Sequence, residues 1–298
     1  MKRSAVLFLA AACLLSGAAA ARPGARLTVA YTANSSGKMT VCGCPGDPYG
    51  GLVERVTLIK RLRAESEPFL LLDAGNMVSL FGDFDERAAC VMRLMNLMGY
   101  DAAGVGRQEM FRCIAPARSM SGAANFPFLS ATIADKNSRR PVFIPYIVKR
   151  IGDVRVGVTS VCDSTAYILD LNRVFDYSVI PLDTALKPVL DAMEGATDFI
   201  VVLSQMDTAK NEKLLRTYPS VDLVIEGSGN KALETQVSAS RGVIVAPGGR
   251  SQYVGMITLE KDGSASPKVT RARLCEVLDI PADKRAGEIV RAYYRKER

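Results

Sequence analysis

The apolar positions of this chain repeat with two different periods, and the change between them predicts alternating strands and helices. Leu27–Ala33 alternates between apolar and polar residues and ends in a polar turn, which is typical of a strand. Leu52–Ala64 carries apolar residues at helical spacing with basic residues between them. Phe69–Leu72 is a short continuous apolar run that precedes Asp73, as expected for a buried parallel strand.

The same alternation continues along the rest of the chain. Further helices are predicted at Glu86–Met98, Leu182–Met193, Ala209–Tyr218 and Ala282–Arg295. Further strands are predicted at Ala102–Val105, Phe128–Ser130, Phe143–Arg150, Arg155–Ser160, Phe199–Leu203, Leu223–Glu226, Val243–Ala246, Tyr253–Lys261 and Lys268–Glu276. Strands that alternate with helices and end in β-rich segments indicate a layered α/β sandwich, and the absence of an internal repeat favours one domain.

The first 21 residues have the composition of a secretory signal peptide. Lys2 and Arg3 form a charged start, Ala5–Leu15 an apolar core, and Ser16–Ala21 a small-residue cleavage zone. We therefore expect a mature domain over residues 22–298 in the periplasm or the medium. Lipidation of Cys13 is the less favoured alternative, because Ala10–Ala12 makes a poor lipobox. No second long apolar stretch follows, so no transmembrane segment is expected after signal removal.

The net charge is +7, but the basic residues are spread along the chain. This distribution indicates a solvated basic surface, and we expect no nucleic-acid partner. The terminal segment Arg285–Arg298 mixes apolar and aromatic residues with Lys and Arg. Two interpretations of it stay open: docking onto its own domain, which is favoured, and contact with a partner or an anionic membrane surface.

The chain has seven cysteines and no histidine. Six cysteines remain after signal removal, which permits up to three disulfides in an oxidising compartment. Cys42 and Cys44 lie close together in the long loop after the first strand, and disulfides are the favoured interpretation for both. The alternatives are a thiolate site for a soft metal, completed by a distant cysteine such as Cys90 or Cys113, a redox-active loop, or inert thiols.

Five polar loops each follow a predicted strand. They are Asn34–Ser36, Asp73–Asn76, Gly106–Glu109, Ser204–Gln205 and Gly227–Asn230. In layered α/β folds the chemistry lies in loops after the carboxyl ends of strands, so these five are the candidate site.

The segments that frame these loops resemble the calcineurin-like metallophosphoesterases, specifically the catalytic domain of periplasmic 5′-nucleotidases and their thiosulfohydrolase relatives. The resemblance rests on the order and spacing of blocks such as Gly50-Gly51-Leu52 with Arg55, Leu70–Gly75, Met95–Ala102 and Phe126–Ala131, and it covers roughly Leu27 to Asp262. It implies an α/β/β/α sandwich with a two-metal centre that hydrolyses esters. The family's nucleotidases also carry a C-terminal nucleotide-recognition domain, which we expect to be absent from this chain.

The metal-ligand positions of the family are changed in this sequence. Asn34 and Ser36 stand where the resemblance places an Asp and a His two residues apart. Asn76 stands at the position of the bridging Asp, and Gln205 at that of a lone His.

The two remaining ligand motifs are changed as well. Arg107-Gln108-Glu109 replaces the family's Asn-His-Glu, so a ligand becomes a cation and the acid histidine becomes an amide. Gly227-Ser228-Gly229-Asn230 replaces Gly-His-x-His, which leaves Ser228 and Asn230 at the two histidine positions.

These changes predict that the chain holds no two-metal centre and no other cofactor. Two divalent ions about 3.5–4 Å apart repel by roughly 18 kcal/mol even at an effective dielectric of about 20. Anionic ligands normally offset this repulsion, which neutral Asn76 cannot do, and Arg107 adds positive charge.

The leading hypothesis is therefore an exported, non-catalytic module that binds a small anion or a periplasmic protein partner. Arg107 and the amide donors of Asn34, Asn76, Gln108, Gln205 and Asn230, with the hydroxyls of Ser36 and Ser228, are the candidate binding groups. A relic without a ligand is the simpler interpretation. The enzymatic alternative is an ester hydrolase with a rebuilt site that recruits Asp73, Glu109 or Asp163. A thiol or metal protein centred on Cys42 and Cys44 is the third hypothesis.

Overall fold

The computed structural model describes residues 24–41, 46–66, 68–80, 83–111, 113–163, 175–237, 241–263 and 265–296 of the chain. The expected signal peptide at 1–21, Cys13, and the loop cysteines Cys42 and Cys44 lie outside the described residues. The interpretations placed on them stay predictions.

Strands and helices alternate through the described part of the chain. The helices are α1 Leu52–Glu65, α2 Phe84–Met98, α3 Ile114–Ala123, α4 Leu182–Met193, α5 Thr208–Thr217 and α6 Lys284–Lys296. The strands are β1 Ala25–Thr32, β2 Leu70–Asp73, β3 Ala102–Gly104, β4 Phe128–Leu129, β5 Ile133–Asp135, β6 Tyr146–Ile151, β7 Val154–Val161, β8 Tyr177–Val179, β9 Phe199–Ser204, β10 Leu223–Glu226, β11 Ala232–Val237, β12 Val243–Pro247, β13 Tyr253–Lys261 and β14 Lys268–Glu276.

The strands form two six-stranded sheets and one small two-stranded sheet. The first sheet has the order β14-β13-β1-β2-β3-β4, in which β1 to β4 run parallel and β13 pairs antiparallel with β1. The second has the order β11-β12-β10-β9-β7-β6, in which β7, β9, β10 and β12 run parallel. Both sheets therefore present the carboxyl ends of parallel strands, where the five candidate loops begin.

Alternate residues of each strand face different layers, which gives the predicted α/β/β/α sandwich. Val29 and Tyr31 of β1 share a core cluster with Val201 and Leu203 of β9, so the two sheets pack face to face. The neighbouring Ala30 belongs instead to the cluster formed with α1, α2 and α6. On the far side, α4 and α5 cover the second sheet. The predicted fold class is confirmed.

Three predictions about particular segments are corrected or refined. The strand predicted from Phe143 begins at Tyr146, because Pro145 has no backbone N–H to donate to a ladder. The terminal helix packs on α1 and α2 through its apolar side, as the favoured interpretation expected. None of the four described cysteines, Cys90, Cys113, Cys162 and Cys275, is in a disulfide, so none of the up to three disulfides that the cysteine count permits involves them.

A search of the described residues for a membrane span finds no helix with the necessary length and apolar character.

Candidate functional site

The predicted loops meet at one edge of the sandwich. The Asn34 amide donates to the Gly75 carbonyl at 2.9 Å and the Ser36 amide to the Asn76 carbonyl at 3.0 Å, which joins the loops after β1 and β2. In the second sheet the Gly227 amide donates to the Ser204 carbonyl at 2.8 Å. The backbone thus brings the candidate residues of these four loops to one place.

Left-handed backbone at three candidate positions shapes these loops. The φ angles are 50° at Asn34, 47° at Ser36 and 59° at Asn76. Asparagine tolerates this region better than most residues with a side chain. Gly75 also has a positive φ of 98°, and a Cβ there would lie 2.7 Å from the Gly106 nitrogen. Only glycine therefore allows the second and third loops to approach this closely.

The Asn76 side chain occupies the centre of the site and ties the loops together. Its Nδ2 donates to Asn34 Oδ1 at 2.9 Å, to Gln205 Oε1 at 3.0 Å and to the Gly227 carbonyl at 3.2 Å. Its Oδ1 accepts from the Gln108 backbone amide at 3.1 Å. One amide group therefore links the first sheet's loops to those of the second.

The side-chain NH2 groups of the two partners of Asn76, Asn34 and Gln205, donate to backbone carbonyls. Asn34 Nδ2 donates to the Gly229 carbonyl at 2.6 Å. Gln205 Nε2 donates to the Ala74 carbonyl and, at 3.1 Å, to the Gly227 carbonyl. Both side chains are buried. Their donors are already engaged inside the protein, as expected for buried polar groups.

Gln108 and Ser36 form a second pair beside this network. In the amide orientation that satisfies both groups, the Gln108 amide nitrogen donates to the Val78 carbonyl at 2.6 Å and its oxygen accepts from Ser36 Oγ at 3.1 Å. The hydrogen bonds of this pair are therefore also made within the protein, to each other and to the backbone.

The buried carboxylates near the site make hydrogen bonds or ion pairs within the protein. Glu109 accepts hydrogen bonds from the backbone amides of Asn76, Met77 and Gly106 at 2.9, 2.7 and 2.8 Å. Burial raises the pKa of Glu109, and the backbone hydrogen bonds oppose this rise. Asp163, the third carboxylate considered for a rebuilt site, pairs with Lys210 at 2.5 Å.

Asp73 is likewise turned away from the cleft. Its Oδ2 accepts from Thr32 Oγ1 at 2.6 Å and its Oδ1 from the Gly75 amide at 2.8 Å. Burial raises the pKa of Asp73 to about 7, against the lowering effect of the two hydrogen bonds and of the Arg55 charge. The Asp73 carboxylate therefore stabilises the start of the loop after β2 through its hydrogen bond from the Gly75 amide.

We expect this buried group to make stability depend on pH. The folded state holds the Asp73 proton more tightly than the unfolded chain, so its contribution is complete below about pH 4 and is lost as the pH rises to about 7. In urea titrations across this range, the difference in unfolding free energy between wild type and Asp73→Asn should change by up to about 4 kcal/mol.

The variant Asp135→Asn, at a half-buried position, is the control for the direction of the change, because hydrogen bonds from Ser138 lower the pKa of the Asp135 carboxyl. Its difference from wild type should change in the opposite direction with pH. Parallel profiles for wild type and Asp73→Asn would contradict the prediction.

The residues at this site do not fit a pair of divalent metal ions. The Asn34, Asn76 and Gln205 amide groups hydrogen-bond to one another or to carbonyls, and Glu109 and Asp73 accept from the backbone and Thr32. Within the described ranges, no group of three His, Cys, Asp or Glu side chains has metal-binding geometry. The neutral donor set supplies none of the anionic charge that two such ions require.

Three candidate residues form the rim of the site. Arg107, Ser228 and Asn230 are exposed, and the Arg107 guanidinium makes no hydrogen bond or ion pair with the described residues. Asn230 lies against Gly249, where a Cβ would come within 2.3 Å of its Oδ1. The rim therefore carries one cation, Arg107, and two exposed polar side chains, of which Ser228 donates through Oγ to Glu226 Oε1 at 3.5 Å.

An ion cluster that the sequence did not reveal borders the same rim. Asp47 accepts from Lys38 Nζ and from Arg250 Nη2, both at 2.8 Å. The Arg250 amide donates to the Asn34 carbonyl at 2.8 Å, which attaches this cluster to the first loop. The lysine hydrogen bond and both cations lower the pKa of Asp47. The sequence signal was the Gly248-Gly249 turn before Arg250, which gave no indication of the distant Asp47.

Comparisons with known proteins agree with this architecture. No protein-family model matches the chain. The snake venom 5′-nucleotidase of Gloydius brevicauda is 29% identical over 215 residues, which are 70% of this chain and 36% of that protein. The 5′-nucleotidase of Rattus norvegicus is 27% identical over 230 residues, which are 74% of this chain and 38% of that protein. The chain thus spans little more than a third of the length of these curated relatives.

Solved structures show the same fold at lower identity. A 5′-nucleotidase precursor from Thermus thermophilus superposes with a TM-score of 0.78 at 19% identity, covering 92% of this chain and 59% of the other. The calcineurin-like phosphoesterase YfkN from Bacillus subtilis gives a TM-score of 0.74 at 16% identity, covering 92% of this chain and 98% of the other. The fold is that of the calcineurin-like phosphoesterases, and the sequence relatives are 5′-nucleotidases.

Proposed function

We propose that this 5′-nucleotidase-like chain, on the calcineurin-like phosphoesterase fold, is a non-catalytic module that binds a small anion at the rim of a closed site. The observation that carries the proposal is the Asn76 amide, which donates to Asn34, Gln205 and Gly227 at the centre of the loops. Export to the periplasm or the medium is part of the proposal.

The Asn76 amide supports the non-catalytic half of the proposal. The NH2 group of Asn76 donates to three oxygen acceptors and so holds the loops together. In a two-metal centre, a bridging carboxylate at this position would instead hold two cations. A metal ion that enters here has to break these hydrogen bonds and then meets only neutral amide and carbonyl oxygens, which are poor ligands for zinc or iron and supply no charge to offset a pair of divalent ions. Hydrolysis through a two-metal centre is therefore disfavoured.

Arg107 supports the anion-binding half of the proposal. Its guanidinium is exposed and unpaired with any described residue at the rim, and a planar guanidinium binds phosphate or sulfate oxygens through two parallel hydrogen bonds. Asn230 adds an exposed amide donor on the loop after β10, and the exposed Ser228 hydroxyl on the same loop donates to Glu226 Oε1 at 3.5 Å. Because the relatives are named as 5′-nucleotidases, phosphate-bearing anions are the first class to test.

We expect Arg107→Ala to weaken binding of phosphate, sulfate or AMP by roughly 10- to 100-fold, the value of one charge-assisted contact. Isothermal titration calorimetry of the wild type and the variant measures this directly. Arg140→Ala removes an equally exposed arginine on another loop and should leave the affinity unchanged. Equal affinities for the Arg107 variant and wild type would remove the assigned role.

A second measurement tests the non-catalytic half independently. Wild-type protein with added Mn²⁺ or Zn²⁺ is expected to hydrolyse AMP and bis(p-nitrophenyl) phosphate no faster than a protein-free blank. Metal-dependent turnover would return the chain to the ester hydrolases, whatever the result with Arg107.

A further inference from the structure

Helix α6 lies on the outside of the helical layer that covers the first sheet. Ala286, Ile289, Val290 and Tyr293 are buried against the core shared with α1 and α2. These positions follow helical spacing, so the opposite side of α6 faces outward.

The outward side of α6 is strongly basic. Lys284, Glu288, Arg291 and Arg295 are separated by four, three and four residues, lie on one face and are exposed. None of the three cations makes a hydrogen bond or ion pair through its side chain with the described residues. Glu288 is the one acidic residue in this row.

A polar groove flanks this row on the side of α2. It has a volume of about 520 Å³, and its lining includes Arg93, Asn96, Asn125, Arg285, Glu288 and Ile289. Arg93 and Arg285 are exposed and, like the cations of the row, have no side-chain partner in the described part of the chain. We name Arg93, Lys284, Arg285, Arg291 and Arg295 together the α6 basic face.

An exposed aromatic residue accompanies these arginines. Tyr294 is 47% exposed and lines a second hollow of about 330 Å³ with Glu288, Arg291 and Arg295. Tyrosine beside arginine is the composition typical of a protein surface at the boundary between water and lipid headgroups.

We propose that the α6 basic face docks onto an anionic phospholipid bilayer. The groove between Arg93 and Arg285 takes a headgroup phosphate through guanidinium hydrogen bonds, and Tyr294, on the opposite flank of the basic row, enters the headgroup layer there. This inference is independent of anion binding at Arg107, which involves other loops.

Charge complementarity selects the occupant. The α6 basic face has five cations and one carboxylate, so it attracts an anionic surface. Because α6 is already packed on the domain, binding orders no further segment and its entropy cost is small. A soluble polyanion without aromatic or apolar groups, such as heparin, shares the charge but gains nothing from Tyr294. The tyrosine therefore distinguishes a bilayer from a dissolved polyanion.

Co-sedimentation of the purified chain with vesicles tests the proposal. We expect binding to vesicles of phosphatidylcholine and phosphatidylglycerol in a ratio of about 3:1, none to phosphatidylcholine alone, and weakening as salt rises. Replacing Arg285, Arg291 and Arg295 by Gln should lower the partition coefficient roughly 100-fold, because each basic residue near an anionic surface contributes about a fivefold factor.

The matched control replaces three exposed basic residues on other elements, Lys136, Arg140 and Lys213, by Gln, with the same change of net charge. It should retain nearly full binding. Tyr294→Ser should reduce vesicle binding several-fold while leaving heparin binding unchanged. The proposal is overturned if wild type does not sediment with the anionic vesicles, if both triple variants lose binding equally, or if Tyr294→Ser leaves vesicle binding unchanged.

Discussion

Asn76→Asp is expected to destabilise the folded protein by about 3 kcal/mol, and millimolar Mn²⁺ is expected not to restore the loss. The substitution replaces a donor by a carboxylate that faces Asn34 Oδ1, Gln205 Oε1 and the Gly227 carbonyl. The two N–H donors that serve these three acceptors are lost, and four oxygen groups repel one another in a partly buried space. Chemical denaturation with and without Mn²⁺ measures both effects.

Asn230→Asp is the matched control, because it makes the same change of charge on an exposed side chain at the same site. It should cost less than about 0.5 kcal/mol, as surface substitutions usually do. A Mn²⁺-dependent rise in stability that is specific to Asn76→Asp would contradict our interpretation. It would mean that one restored carboxylate is enough to assemble a metal site from the remaining oxygens.

Arg55→Leu is expected to cost about 3–5 kcal/mol near pH 8 and clearly less near pH 5. Arg55 is a fully buried arginine of α1 that lies beside the Asp73 carboxylate and the Tyr100 hydroxyl and interacts with both. Its charge lowers the pKa of Asp73 and of Tyr100, against burial, which raises both. Removing Arg55 leaves the ionised Asp73 carboxylate buried without its compensating cation. At low pH the carboxylate is protonated and the loss is smaller.

The coupling is measured by a double-mutant cycle of Arg55→Leu and Asp73→Asn at both pH values. We expect the double variant to recover more than half of the loss at the higher pH. An equal cost of Arg55→Leu in the presence and absence of Asp73, at either pH, would show that the arginine acts through packing alone.

The main layers of the fold were predictable because their periodicity is local. The predicted bounds of Leu182–Met193 and Lys268–Glu276 coincide with those of α4 and β14. Both segments have a clear apolar pattern over nine or more residues, which is the strongest sequence signal for an element.

The missed elements depend on contacts between distant parts of the chain. Helix α3 has few apolar residues, and its first amide, at Ile114, donates to the Asp176 carboxylate at 3.0 Å, 62 residues away. Strand β5 pairs with β8, and each has three residues, too few for a period to be recognised. No local pattern could supply such partners.

The location of the site was predictable, but the direction of its side chains was not. The sequence placed Asn34, Asn76 and Gln205 on loops that meet, and the structure brings all three into hydrogen-bond contact. An amide can donate to a ligand or to its neighbours, and only the loop geometry decides between these. Here it directs the amides inward and leaves Arg107, Ser228 and Asn230 outward, so the role in anion binding stays a prediction for this rim.

The amide that joins the loops of the two sheets stands where a bound metal ion would otherwise join them. Where a bound ion joins two layers, stability rises with the logarithm of the free ion concentration and falls when a chelator is added. Here the hydrogen bonds of the Asn76 side chain, which belongs to the chain itself, link the loops of the two sheets. If the proposed non-catalytic function is right, the folded population should be the same in metal-poor and metal-rich media.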